Sequence, residues 1–293
     1  MALHTKDLVF LNANDHYAMQ LLPNIQVDTL TYQTQGHQSE ADITFSQSDF
    51  LLGEKSHEIQ STFSLNLKGN IYQIKTNLIG KANYGYIGVA LAIVETLAYQ
   101  QNIISPLAHK EKSLELTYQL QPGRLSIFAG KHDSLLFDST YNASPRSVRE
   151  IIDTVFTIRS KLFSQSEIRI ILGDMRELGD LTEKEHRLLA GYVSQVADKL
   201  FLHGQSMKEH LADELEKIGF DENKLYTAKD LKNLNETIER ELKKAESKLP
   251  LLIFKGSQNT IFLEESVKHF LLHKTDEKLL TRQGDFRQKK KGF

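Results

Sequence analysis

Three short stretches carry side chains and backbone that suit the recognition of an anion. Asp138-Ser-Thr-Tyr-Asn-Ala-Ser-Pro145 is polar, and it ends in a serine and a proline that suit the N-cap and first position of a helix. Gly173-Asp-Met-Arg-Glu-Leu-Gly179 sets both signs of charge between two glycines. Lys255-Gly-Ser257 places a cation, a flexible backbone and a hydroxyl before a further helical pattern. Free N–H groups at helix starts, with Lys, Arg and Ser beside them, match phosphate or carboxylate ligands. Any one of these stretches resembles an ordinary loop; the three together point to a site.

Each stretch follows an apolar run that reads as a strand: Leu135–Phe137, Ile168–Leu172 and Leu251–Phe254. Helices are expected over 145–163, 206–218, 229–247 and 259–272, with further strands at Lys199–Leu202 and 224–227. Thr182 and Glu185 have capping-box spacing for the helix after 179. Strands alternating with helices imply a parallel sheet with crossover helices, and ligands gather at the C-terminal strand ends of such sheets. The pattern before residue 143 differs. Leu8–Leu11 reads as a buried strand ending in Asn12-Ala-Asn-Asp15. Residues 42–76 alternate apolar and polar, with a hairpin turn at Lys68-Gly-Asn70, and predict a small antiparallel sheet. An apolar helix runs to about Tyr99, with Asn83 at its start as a base contact or a helix cap. A more polar helix is expected around His109 and Lys110. Arg124, after Pro122-Gly123, sits where it could clamp a phosphate or form a surface ion pair. The charged segment from Lys274 is expected to fray, with its lysines solvated.

With 293 residues, 40% hydrophobic and 25% charged, the chain has the length for two domains with sizeable cores. A net charge of −2 gives no support to nucleic-acid binding. The absence of cysteine excludes disulfides, thiolate metal sites and thiol nucleophiles, and fits a reducing compartment. No segment reads as a membrane span, and no histidine arrangement reads as a metal site. Neither a G-x-x-x-x-G-K-[ST] phosphate loop nor G-x-G-x-x-G nor G-x-S-x-G occurs. The residues alone thus predict a two-domain α/β protein with a cleft for an anionic ligand.

In order along the chain, Leu11-Asn-Ala-Asn-Asp15, Leu78-Ile-Gly-Lys-Ala-Asn83, Pro122-Gly-Arg124, Asp138–Pro145, Gly173–Gly179 with Glu183-Lys-Glu-His186, and Lys255-Gly-Ser257 resemble the MurF branch of the Mur ligases. The resemblance implies that residues 1–143 are the latter part of a central ATP-binding domain. It makes 144–273 a Rossmann-like C-terminal domain and 274–293 a charged tail. The UDP-sugar domain, the phosphate loop and the Mg²⁺ ligands of the family would lie upstream, which leaves the catalytic residues unknown and no metal ligand in this chain. The implied chemistry is ATP-dependent amide formation through an acyl phosphate. It would join D-Ala-D-Ala to UDP-MurNAc-tripeptide in the cytoplasm, during peptidoglycan synthesis. Carried over position by position, Asn83, Arg124, Asp138, Tyr141 and Asn142 match ATP-binding positions. Asp174, Arg176, Lys255 and Ser257 match positions facing the peptide substrate.

Three departures from the family pattern weaken those sites: Ala82 for a histidine, Ser139 for an acid, and Gln258 for an arginine. Without a phosphate loop no ligase turnover is expected from this chain alone, and a complementing N-terminal chain or self-association is expected. A non-catalytic binding module, and a Mur-like ligase for another peptide, are the alternatives.

Overall fold

The computed structural model describes residues 8–34, 40–108, 112–244, 248–257 and 261–282. Its strands form two six-stranded sheets. The chain divides into two units, one of Met1–Leu51 with Ile59–Gln119, the other of Leu52–Glu58 with Leu120–Phe293.

The first sheet runs in sequence order: β1 (Leu8–Asn12), β2 (Asp28–Tyr32), β3 (Ile43–Leu52), β4 (Ile59–Leu67), β5 (Asn70–Thr76) and β6 (Ser113–Leu116). A four-residue helix, α1 (His16–Met19), separates β1 from β2. The expected antiparallel pairing is present as the β4–β5 hairpin, whose turn residues Lys68 and Gly69 take φ of 47° and 87°. It lies within one mixed sheet, because β1–β2, β2–β3 and β5–β6 pair in parallel. Long helix α2 (Lys81–Gln100) covers the sheet, burying Tyr84, Ile87, Leu91 and Ala92 with Ile43, Phe45, Phe63, Leu65 and Ile74. Tyr84 stacks on Phe63 at 4.3 Å, and its hydroxyl hydrogen-bonds to Ser61 Oγ at 3.0 Å, so the polar tip is satisfied in the core. The polar end of β1 is spent on local structure. Asn12 Oδ1 accepts from the Asn14 amide, Asn14 Oδ1 from the Thr34 amide, and Asp15 caps α1. The polar helix expected around His109 and Lys110 centres on residues outside those described.

The second sheet has the order β11-β10-β9-β12-β8-β7. Its strands are β7 (Ser126–Gly130), β8 (Ser134–Ser139), β9 (Ile168–Gly173), β10 (Lys199–His203), β11 (Leu225–Ala228) and β12 (Leu251–Lys255). All pairings are parallel except β7–β8. Strands β7 and β8 therefore belong to the sheet of the second unit, whereas a boundary at 143 sets them with the first. Their own hydrogen bonds decide this, since β8 pairs residue for residue with β12 from Leu135 to Ser139.

The helices of this unit are α3 (Pro145–Leu162), α4 (Thr182–Val193), α5 (Asp213–Lys217), α6 (Leu231–Lys243) and α7 (Leu263–Phe270). Ser144 caps α3 reciprocally with Ser147, and Pro145 occupies the first helical position, as the sequence predicts. Helices α6 and α7 pack Leu234, Ile238, Leu242, Val267 and Phe270 against Leu136, Ile171, Phe201, Leu252 and Phe254.

Other expectations are revised. No Thr182–Glu185 capping box forms: α4 is entered through a 3₁₀ turn at Gly179–Leu181, and the Thr182 hydroxyl donates to Gly179 O at 2.7 Å. The helix expected over 206–218 contains a π-helical stretch, Met207–Ala212, before α5. Residues 274–282 do not fray. They form a 3₁₀ segment, Lys274–Leu279, and bury Leu280, Thr281 and Arg282. Among the described residues, no helix is long and apolar enough to cross a membrane.

Candidate functional site

Strands β9, β12 and β8 are neighbours and parallel, so their C-terminal ends open side by side. Lys255 lies opposite Ser139 on one side and Leu172 on the other. From β9 the chain goes on to β10. From β12 it goes through α7 to Leu271, which bridges to Gly130 on the opposite flank of the sheet. The two connections diverge, and that reversal is where open parallel sheets leave a ligand crevice.

The segment after β8 is held by side chains from distant parts of the chain. Four successive carbonyls each accept a hydrogen bond. Arg282 Nη2 donates to Thr140 O at 2.7 Å and Nη1 to Tyr141 O at 3.2 Å. Lys255 Nζ donates to Asn142 O at 2.6 Å and also to Ser139 Oγ at 3.1 Å. Ser257 Oγ donates to Ala143 O at 3.4 Å. Lys255 and Ser257, expected to face a substrate, brace this segment, and both are buried.

Asp138 begins the segment and is fully buried. Its Oδ1 accepts from the Thr140 amide at 3.0 Å and the Thr140 hydroxyl at 2.7 Å, while buried Oδ2 has no hydrogen-bond partner. Burial pushes this carboxyl up to about 6 against those two bonds; the nearby Glu264 charge raises it further and Arg282 opposes. Burial, followed by the Arg124 guanidinium, brings the Lys255 ammonium down to about 8, opposed by Asp138 and Glu150. A buried acid and a buried amine thus approach neutral pH on adjacent strand ends, a combination found at functional sites.

The β9 loop joins the same framework. The Ser257 amide donates to Asp174 O at 3.2 Å, and the Arg176 amide donates to Ser257 Oγ at 2.8 Å. Asp174 Oδ1 accepts from the Met207 amide at 2.8 Å, so its carboxylate also orders the start of the π-helical stretch. His186, fully buried, receives the Met175 amide at Nε2 (3.2 Å) and pairs through Nδ1 with Thr182 O (2.7 Å). Those contacts assign the proton to Nδ1, and burial lowers the histidine's pKa, keeping the ring neutral. Arg176 is exposed at the rim.

Arg124, exposed, lies with its guanidinium carbon 4.4 Å from the centroid of the Tyr141 ring. The Tyr141 amide donates to Gly123 O at 3.1 Å, which joins the turn before β7 to the β8 end. Exposed Asn142 accepts the Ala143 amide at its own Oδ1 (2.9 Å). The fold thus brings Arg124, Asp138, Tyr141, Asn142, Asp174, Arg176, Lys255 and Ser257 to one end of the second sheet. Asn83 belongs to the first unit, in the first turn of α2, where Nδ2 donates to Ile79 O at 2.7 Å. Gln258 lies outside the described residues. Sequence reading missed Glu264, Arg282 and the role of Thr140. Glu264 was detectable as an acid on the buried face of α7, between Leu263 and Val267.

Comparison with known proteins shows what this part of the chain is similar to. Residues 123–258 match the Mur ligase, glutamate ligase domain. The chain also resembles Mur ligases of the MurF type. It is 30% identical over 149 residues to the UDP-N-acetylmuramoyl-tripeptide–D-alanyl-D-alanine ligase of Bacillus subtilis, a match covering 50% of this chain and 30% of the relative. The fold is that of MurF ligase from Thermotoga maritima, solved in complex with ADP (TM-score 0.63, 18% identity, covering 93% of this chain and 53% of that one). It is equally like MurF from Acinetobacter baumannii (TM-score 0.67, 18% identity, 89% and 51%). The chain spans about half the length of these solved relatives.

Proposed function

We propose that this chain serves an ATP-dependent amide ligase of MurF type, joining D-Ala-D-Ala to UDP-MurNAc-tripeptide in peptidoglycan synthesis. On this reading the first unit corresponds to part of the central ATP-binding domain and the second to the domain that binds the incoming dipeptide. The observation that carries it is the convergence of the β8, β12 and β9 ends inside the Mur ligase domain, with Asp138–Asn142, Lys255–Ser257 and Asp174–Arg176 on one edge. Exposed Arg124 over Tyr141, with Asn142 beside it, suits a nucleotide phosphate and ribose; Arg176 at the rim suits the dipeptide carboxylate. Among the described residues no group of three or more histidines and acids could hold a metal, so no step is routed through Mg²⁺ on this chain.

The roles left to these residues are binding and orientation. Lys255 and Ser257 hold the β8 end in place, so that Arg124 and Tyr141 stay set for the nucleotide. No phosphate loop occurs in the 293 residues, so the chain alone is assigned no turnover. A complementing polypeptide is part of the proposal. Supporting it, α2 is apolar on both sides, with Tyr86, Ile93 and Leu97 exposed opposite its buried face. Calorimetric titration of the purified chain with D-Ala-D-Ala and with ADP tests the site. Binding of either, lost in Arg176→Ala or Arg124→Ala respectively, is expected. Absence of binding to both at millimolar ligand overturns the ligase reading and favours a module of another kind.

A further inference from the structure

The side chain with the most buried hydrogen bonds at this site comes from the far end of the chain, and no part of the ligase reading uses it. The Arg282 side chain is 5% exposed, and it forms a two-pronged ion pair with fully buried Glu264: Nε to Oε1 at 2.8 Å and Nη2 to Oε2 at 2.7 Å. The same guanidinium also takes the Thr140 and Tyr141 carbonyls at 2.7 and 3.2 Å. A carboxylate satisfies one edge of an arginine; the remaining donors here are aimed at consecutive peptide groups of the β8 end. Arg282 adopts a φ of 58°, a left-handed conformation that a non-glycine residue holds only when its surroundings fix it. Leu280 is built into the core cluster beneath. Thr281 packs at the turn before β7, so that a Cβ placed on Gly123 would lie 3.2 Å from its Cγ2 and 2.9 Å from the Tyr141 amide nitrogen. Residues 280–282 therefore grip both pieces of backbone that carry Arg124 and Tyr141.

We infer that Arg282 is a positioning residue: it fixes the Thr140–Tyr141 peptides so that the Tyr141 ring meets the Arg124 guanidinium. A plain stabilising ion pair would behave differently. Replacing both partners of a buried pair by apolar side chains of similar size is often neutral for stability, yet it would leave the two carbonyls without their donor. The inference rests on the assignment of Arg124 and Tyr141 to a nucleotide.

The test compares the full-length chain with Arg282→Met/Glu264→Leu and with Arg282→Lys. It uses thermal melting, hydrogen exchange at residues 139–143, and titration with ADP. The double variant is expected to fold and melt cooperatively, below wild type because the two carbonyls lose their donor, and to exchange these amides about tenfold faster or more and bind ADP roughly threefold to tenfold more weakly. Arg282→Lys retains the charge but lacks the fork, so it is expected to lose protection at the same amides and not to rescue affinity. Unchanged exchange at 139–143 in either folded variant overturns the inference. If the double variant does not fold, Arg282→Lys decides by the same criterion. If wild type itself does not bind ADP, the nucleotide assignment falls, while the exchange comparison still decides the role of Arg282.

Discussion

Replacing Asp138 by Asn removes a titration that works against the fold at neutral pH. The carboxyl is fully buried, with Oδ1 held by Thr140 and Oδ2 without a partner. Its pKa stands at about 6 in the folded chain against 3.8 for an ordinary aspartate, so the folded form binds the proton more tightly than the unfolded one. The sign follows from linkage. Stability from the protonated carboxyl is fully present below the unfolded value of 3.8 and is lost as pH rises through about 6. A shift of about two units corresponds to about 3 kcal/mol between the two ends of that window. The Lys255 titration lies higher, at about 8, and has the opposite sense: a lowered amine pKa adds stability as pH rises from about 8 toward 10.5. The acidic window therefore isolates Asp138 from Lys255. Urea unfolding of wild type and Asp138→Asn at about pH 3.5, 5 and 7 measures the difference, since the amide keeps the Oδ1 acceptor but cannot ionise. Wild type is expected to lose about 3 kcal/mol relative to the variant across the series. Parallel stability–pH curves for the two proteins would refute the assignment of a raised pKa to this residue.

Two further outcomes concern the first unit. Gly85→Ala is expected to unfold or grossly destabilise it, by about 3 kcal/mol or more, because a Cβ there would fall 1.8 Å from Gln33 O on a neighbouring stretch of backbone; a chain that keeps its melting temperature contradicts that packing. The exposed apolar face of α2 is expected to make the isolated chain associate or bind a complementing polypeptide, and Ile93→Lys with Leu97→Lys to reverse this. A monodisperse wild-type monomer in sedimentation, with no added partner, counts against it.

Much of the second unit was legible because its signals are local. The buried runs at 135–137, 168–172 and 251–254 flank a helix start written in Ser144 and Pro145, and regular alternation of strand and helix has few topological solutions. The three loaded loops could be recognised as strand ends from chain order alone. The single mixed sheet of the first unit was less legible, since alternation over 42–76 speaks for strands but not for their pairing partners. The Thr182 cap failed for a related reason: Ser/Thr-x-x-Glu spacing does not exclude a preceding 3₁₀ turn, and here that turn took the threonine hydroxyl.

The sequence by itself determined the alternating α/β order of the second unit, the polar strand ends and the resemblance to Mur ligases, all of which depend on neighbours along the chain. Only the tertiary structure decided what those side chains do. Placing β12 between β8 and β9 sets Lys255 and Ser257 against the carbonyls of Asn142 and Ala143, and so makes braces of residues that composition marks as ligand contacts. It also brings Arg282 to Thr140, Tyr141 and buried Glu264, although its place in a charged terminal segment suggests a solvated side chain. Hydrogen bonds and desolvation depend on proximity in space, and a strand inserted between two others creates that proximity without leaving a periodicity in the sequence.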